Sequence, residues 1–457
     1  MTTLLYEKPV EIAVDPDIDP RQDNLLKLFL ASYFFTVFAG ALRKWLFPSL
    51  LALYFIQDIP IFIAYLYAVR YKLYKRGYVL WSVLFVTAIL MVQSLVQVSF
   101  INLSLKILLV GYHGYLFYLP MLVIFPLAMD SRGRSRYVRL YILLNIPMSV
   151  LAILQSRSSA GAFINRTTGG KGFGGLGEDL SRVSGTFNFV LFYAYWLSIC
   201  FVFCISEWLL PQARRSIRHR GILMASTLGS LLSLVVSGER TALALAMIAV
   251  VGFISVAALL KNYRAILLVV VMSLALPVIV GIAVLLSPRM LNAFEARLTS
   301  THNLNNSKGR IVDLLMGGIP PTSDPIGVGI GYGVDGSHAG EVGSYDYTYQ
   351  LSEQDLPRNY MELGVIAGSL YVAWRVLFCL GLVLISIKLA IDEISPHALP
   401  LSLVVFATAY VTDWTRNSTM TSTQMFLAAS FILGAFYFQD YASPKVQVGW
   451  NFRKRFL

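Results

Sequence analysis

The chain has 457 residues, of which 56% are hydrophobic and 14% are Asp, Glu, Lys or Arg, where a soluble domain carries roughly 25% charge. That balance excludes a large soluble domain and describes a polytopic helical membrane protein. The net charge of +12 suits contact with anionic lipid, and with no basic soluble module to carry it, nucleic acid is set aside as a partner.

Residues 1–24 are polar, with Asp15, Asp17 and Asp19 alternating around Pro16 and Pro20. They read as a short disordered cytoplasmic tail with no cleavable signal peptide. A bilayer span needs about 20 mostly apolar residues, and on that count the chain has about twelve spans. They lie near 25–41, 48–69, 79–98, 108–129, 140–156, 186–209, 221–237, 240–260, 265–287, 359–387, 398–413 and 422–439. The expected fold is an all-α transmembrane bundle. Its membrane region covers 25–287 in about nine spans, a large outward loop covers 288–357, further spans fill 358–440, and 441–457 is a basic tail. The stretch 99–112 is the weakest of these and reads as a candidate re-entrant segment.

Lys and Arg collect in cytoplasmic connections. Arg70, Lys72, Lys75 and Arg76 form one such set, Arg132, Arg134, Arg136 and Arg139 another, and Arg214, Arg215, Arg218 and Arg220 a third. Lys261 with Arg264, and Arg453, Lys454 and Arg455, fall on the same side. Both termini are therefore expected in the cytoplasm. The three cysteines, Cys200, Cys204 and Cys379, all fall inside apolar spans and read as packing residues, with no disulfide or metal-ligand spacing.

A second set of arginines faces outward on this topology: Arg157, Arg166, Arg182, Arg240, Arg289, Arg297, Arg310, Arg358 and Arg416. A guanidinium is always charged and matches phosphate oxygens with a planar fork. A set of them at outer span ends suits an anionic ligand such as a lipid-linked pyrophosphate. Each could instead pair with a nearby acid, Arg240 with Glu239 or Arg416 with Asp413.

Two outward loops are long enough to carry structure. The first, about 157–185, contains Gly169-Gly170-Lys171-Gly172-Phe173-Gly174-Gly175-Leu176-Gly177, which lacks the strand and the Ser or Thr of a nucleotide loop and reads as a linker or a flexible cover. In the second, Gly309 to Met316 has the pattern of an amphipathic helix lying on the bilayer surface, and a glycine-rich turn runs from Gly327 to Gly333. Glu353 stands five residues before Arg358 and is the candidate general base, with His338 and His302 as alternatives in the same loop. Glu362 lies one helical turn beyond Arg358 and could be its salt-bridge partner. Asp58 and His113 are ionisable groups within apolar stretches, where a functional role and a structural hydrogen bond at a proline kink both remain open. Paired acids with metal-ligand spacing do not occur in the outward loops, so no metal and no cofactor is expected.

Four short segments carry a resemblance. Arg182-Val183-Ser184-Gly185-Thr186-Phe187, Ser237-Gly238-Glu239-Arg240-Thr241-Ala242, Gly309-Arg310 with Pro325-Ile326-Gly327-Val328-Gly329, and Arg358 through Gly368 together resemble the bacterial O-antigen polymerase and O-antigen ligase superfamily. The resemblance implies an integral-membrane glycosyltransferase of the bacterial inner membrane, acting at its outer face on undecaprenyl-pyrophosphate-linked oligosaccharide. It implies inversion without metal, with Arg182, Arg240, Arg310 and Arg358 on the pyrophosphate and Glu353 and Arg358 at the reacting centre. In ligases of that kind a histidine precedes the Glu-Leu-Gly step by about ten residues. Here Glu353-Gln354 holds that place, which favours a polymerase. Such an enzyme would work with membrane lipid and with a chain-length-regulating membrane protein. A ligase and a transporter or flippase of a lipid-linked sugar are the alternatives.

Overall fold

The computed structural model describes residues 19–167, 182–210, 216–263, 323–333, 355–411 and 419–439, with a few isolated positions between 267 and 285. Among the described residues the chain is helical and has no strand. In chain order the helices are α1 Pro20–Ala41, α2 Asp58–Tyr71, α3 Tyr78–Ile101, α4 Leu105–Tyr115, α5 Met121–Ile124, α6 Ser131–Arg157, α7 Val190–Glu207, α8 Ile217–Val236 and α9 Arg240–Leu259. Then come α10 Asp355–Ile391, α11 Ala398–Val411 and α12 Thr419–Tyr437. Seven segments among the described residues are long and apolar enough to cross a bilayer: Pro20–Leu46, α3, α6, α7, α8, α9 and α10. The chain is a multi-pass membrane protein.

Local chemistry sets the boundaries and moves several of the expected ones. Helix α1 begins inside the polar tail, because Asp19 accepts a hydrogen bond from the Arg21 amide at 2.9 Å and Pro20 fits the first turn, where its missing N–H is not needed. The expected span 48–69 is two pieces, a 3-10 turn Leu51–Phe55 and then α2. Asp58 is thus the first residue of α2 instead of a mid-span group, and Pro60 helps to start the helix instead of kinking it. The expected span 108–129 is also broken. Helix α4 ends at Tyr115, and Pro120 and Pro126 divide the next stretch into the single turn α5 and a 3-10 turn Phe125–Ala128. Residues 99–112 form the α3–α4 corner, closed by Asn102 in the left-handed region and by Ser104 capping α4.

Helix α7 is the hub. Nearly all of its residues are buried, on every side, so its sequence is apolar all round and not amphipathic. It packs on α6, α8, α9, α11 and α12. Trp196 donates to the Tyr33 hydroxyl at 3.0 Å and stacks on Tyr141 and Tyr193, while Phe203 meets Tyr137, Tyr141 and Phe431. Where apolar burial gives no preference between lipid and protein, small and polar residues join helices. Asn145 of α6 donates to the Ser226 carbonyl at 2.6 Å and to Ser230 Oγ at 2.8 Å on α8. Cys204 lies 3.1 Å from Ser226 Oγ, so this cysteine packs as expected and lends a polar contact as well.

The helices have two chemically different ends. At one, Arg132 and Arg136 meet Asp23, Arg21 lies over Tyr71, and Lys75 lies over Tyr437, which gathers the start of α1 and α6 with the ends of α2 and α12. At the other, the end of α1 meets residues 184–186, the end of α6 holds the same segment through Gln155, and the end of α3 meets the first turns of α10.

Helix α10 has 37 residues, about 55 Å if continuous, far more than a bilayer needs. It breaks at Gly364, whose φ of 76° and ψ of 169° are not helical. The break admits residues 323–333. Val328 and Gly329 donate to the carbonyls of Met361 and Glu362, and Val365 donates back to Asp324, so carbonyls and an amide left unused by the break are satisfied by the inserted segment. A Cβ on Gly364 would lie 2.2 Å from the Pro325 carbonyl oxygen, whereas one on Gly381, further along the same helix, meets nothing within 4 Å. Gly364→Ala is therefore expected to lose most folded protein, and Gly381→Ala to be neutral or stabilising by up to about 1 kcal/mol. Monodisperse yield and Tm in detergent measure both; equal behaviour of the two variants would refute the account of the break.

Candidate functional site

The start of α10 carries the densest buried charge in the described residues. Asp355, Arg358, Glu362 and Arg375 are all essentially without solvent access, at 0%, 1%, 0% and 0% exposure. Arg358 Nη2 donates to Asp355 Oδ1 at 2.6 Å, and its Nε lies 3.4 Å from Glu362 Oε1. Arg375, deeper in the same helix, pairs with the other Asp355 oxygen and donates to the Ala409 carbonyl at 2.5 Å. Two cations thus meet two carboxylates. The balance matters because desolvating each ion costs several kcal/mol, which is recovered only with well-placed partners.

Residues 323–333 complete the arrangement. Glu362 accepts from the Gly333 amide at 2.7 Å, the Gly331 amide at 3.3 Å and the Tyr115 hydroxyl at 2.8 Å, and Arg358 donates to the Gly333 carbonyl at 3.2 Å. From α3, Gln97 donates to the carbonyls of Ile326 and Glu362, each at 2.7 Å, and accepts from the Ile330 amide at 2.8 Å. Gln93 adds a bond to Ile326 at 2.6 Å. Gly331, at φ 103°, lies so close to α4 that a Cβ would stand 2.3 Å from the Ile107 carbonyl oxygen. Gly331, and Gly327 against the Gly364 amide, are therefore explained by close backbone approach.

The other candidate arginines divide. Arg182 Nη1 lies 3.3 Å from Glu239 Oε1, which joins residues 182–189 to the Ser237-Gly238-Glu239 turn between α8 and α9. Arg240, next along, is exposed at the first position of α9. Glu239 thus has Arg182 as a partner. Arg157 and Arg166 are exposed, and Arg166 lies over the Phe163 ring. Arg182 reaches Glu239, the residue before Arg240, while Arg358 belongs to the separate buried network. Arg310, Glu353, His338, His302, Arg289, Arg297 and Arg416, with the surface helix from Gly309 to Met316, the glycine stretch 169–177 and most of the span 265–287, lie outside the described residues.

Sequence reasoning passed over Asp355 and Arg375. The signal for Arg375 was available: an arginine in the middle of the apolar run 359–387 demands a partner. Asp355 gave no such signal, because it stands at the edge of that run and its second partner, Arg375, is twenty residues away. Arg43 and Lys44 were also missed. Both are buried at the end of the first apolar segment, on a π-helical turn Leu42–Leu46.

Asp58 and His113, each read separately from the sequence, form one unit. His113 Nε2 lies 2.9 Å from Asp58 Oδ2, and the Tyr118 hydroxyl donates to Asp58 Oδ1 at 2.8 Å. The ring also packs against Phe55 and Phe117. A carboxylate at the first position of α2 gains from the helix dipole as well.

The balance of the buried network predicts a rescue. Asp355→Asn leaves two arginines against one carboxylate and is expected to cost about 3–5 kcal/mol. Adding Arg375→Met removes the surplus cation and should recover at least half of the lost Tm. A double variant no more stable than the single one would show that charge balance is not what Asp355 supplies.

Comparison with protein-family models gives no match, and comparison with curated proteins and with solved structures gives none either.

Proposed function

We propose that the chain is a membrane-embedded glycosyltransferase of the O-antigen polymerase type. It moves a growing glycan from undecaprenyl pyrophosphate to a lipid-linked repeat unit at the outer face of the bacterial inner membrane. On this reading about twelve spans cross the bilayer, both termini are cytoplasmic, and residues 288–357 form an outward loop. The cluster of Arg21, Arg132, Arg136 and Lys75 at one end of the helices supports that orientation, since cationic connections collect on the cytoplasmic side.

One observation carries the proposal. The segments that resemble the superfamily, distant in the chain, meet in pairs at the end of the bundle opposite that cluster. The Arg182 segment meets the Ser237–Ala242 segment through Glu239, and Pro325–Gly329 lies in the break of the Arg358–Gly368 segment. A shared end favours a common site over four unrelated turns.

Exposure supports a division of roles. Arg182 and Arg240, partly exposed and exposed, hold the pyrophosphate together with Arg310. Arg358, sealed against Asp355 and Glu362 and donating to the Gly333 carbonyl, acts as a positioning residue. Glu353 takes the proton of the acceptor hydroxyl as it attacks the anomeric carbon, and the pyrophosphate leaves with the bonding electron pair. Arginine charge stabilises that leaving group.

The test supplies purified protein with its lipid-linked repeat unit alone, in EDTA, and looks for lipid-linked dimers and longer chains by mass spectrometry. Their formation is expected, and their absence with well-folded protein would overturn the polymerase reading; product formed only after adding a second acceptor would identify a ligase. Arg182→Lys and Arg240→Lys are each expected to slow turnover about 10- to 100-fold, because a point charge cannot replace a guanidinium fork worth about 1.5–3 kcal/mol per charged hydrogen bond. Wild-type rates in both would remove these arginines from the site.

A further inference from the structure

Arg43 and Lys44 stand apart from the other buried cations. Lys44 is 2% exposed and Arg43 is 8% exposed, yet neither has a carboxylate within ion-pair distance among the described residues. The Lys44 ammonium donates to Ser184 Oγ at 3.0 Å and to the Gly185 carbonyl at 2.7 Å. Arg43 lies over the Tyr54 ring at 5.4 Å, and its buried Nε has no hydrogen-bond partner among the described residues. The indole N–H of Trp45 is likewise buried without an acceptor there. Of three consecutive residues, Arg43 and Trp45 therefore present buried donors without an acceptor among the described residues, and Lys44 between them is a cation bound only to neutral oxygens.

The backbone there is equally unusual. Residues 42–46 form a π-helical turn, which widens the helix and recurs at functional sites. Ordinary helical packing does not need it. The segment that Lys44 touches is held firmly from another side, since Gln155 of α6 donates to the Gly185 carbonyl at 3.1 Å and accepts from the Gly185 amide at 2.8 Å. Gly185 would keep both bonds without Lys44. Next to the turn, Leu46, Phe47 and Leu50 are exposed at 63%, 53% and 48%, an apolar rim that a lipid tail can lie against.

An unpaired buried cation is costly, and the cost falls when an anion arrives. We propose that Arg43 and Lys44, with Trp45 and the Ser184 hydroxyl, form a binding site for a phosphate-bearing group. Phosphate offers several acceptor oxygens and suits two adjacent cations better than a single carboxylate does. The site lies at the same end of the bundle as Arg182, which stands two residues before Ser184. It needs only binding, so it stands whether or not the chain transfers sugar.

The experiment uses the full-length protein in detergent and measures saturable binding by thermal shift and by native mass spectrometry. The probes are inorganic pyrophosphate, a polyprenyl phosphate, and an uncharged polyprenol as control. Binding of a phosphate probe, with the polyprenol inert, is expected. Binding of both phosphate probes would indicate recognition of the phosphate itself, and binding of the polyprenyl phosphate alone would indicate a lipid head group; both support the site. Arg43→Gln, which loses no hydrogen bond to the described residues, should weaken binding about tenfold or more. Lys44→Met should do the same and keep its Tm without ligand. No binding to wild type, or unchanged affinity in Arg43→Gln, overturns the proposal. A Tm loss in Lys44→Met together with unchanged affinity would make Lys44 a brace for residues 184–185 and overturns it as well.

Discussion

Four charges are sealed where α10 begins, and the arrangement of that end of the protein depends on keeping them neutral. Asp355 cannot be buried without a cation, so it takes two, from Arg358 in its own turn and Arg375 in the helix interior. The second arginine would leave a surplus, and Glu362 removes it. Glu362 then has further lone pairs to fill, and it fills them with the amides of Gly331 and Gly333 and the Tyr115 hydroxyl. Electrostatic balance on one helix thereby fixes the position of a segment some thirty residues upstream and joins α3, α4, α10 and α11. The break at Gly364 belongs to the same design, because the inserted segment needs the carbonyls that a continuous helix would have consumed.

This organisation was legible in the sequence only in part. Composition and apolar length gave an all-helical membrane protein, since a bilayer leaves a backbone few other choices. Apolar length was a poor guide where proline and local caps intervened, as at 48–71 and 108–129. In those stretches hydropathy stays high while the chain turns several times. The i, i+4 relation of Arg358 and Glu362 could be read directly, because it depends only on helix geometry. The partner of Arg375 could not, as Asp355 lies on the far side of the Gly364 break and is selected by packing. The stretch from Gly327 to Gly333 read only as a glycine-rich turn, but Gly327 and Gly331 are glycines because backbone of α10 and α4 comes within contact distance.

Among the described residues, three groups of cations differ in their energetics. Those gathered around Asp23 and the aromatic rings at the basic end remain partly hydrated and cost little. Arg358 and Arg375 are desolvated and matched by carboxylates. Arg43 and Lys44 are desolvated without a matching carboxylate among the described residues. Only the last group is improved by an incoming anion. A ligand that adds negative charge to the matched network would instead have to displace a carboxylate already held by backbone amides.

That distinction governs how loss of activity should be read in any arginine of this protein. Removing Arg358 strands Glu362, leaves Asp355 with Arg375 alone and releases the Gly333 carbonyl, so activity falls through folding whatever the ligand does. Removing Arg43 strands no carboxylate among the described residues, because its guanidinium rests on the Tyr54 face. A loss there reports on the ligand. Under the proposed glycosyl transfer, phosphate recognition therefore belongs to Arg43 and Lys44, which have no carboxylate among the described residues, and the neutral network at the start of α10 serves to hold residues 323–333 against α3, α4 and α10.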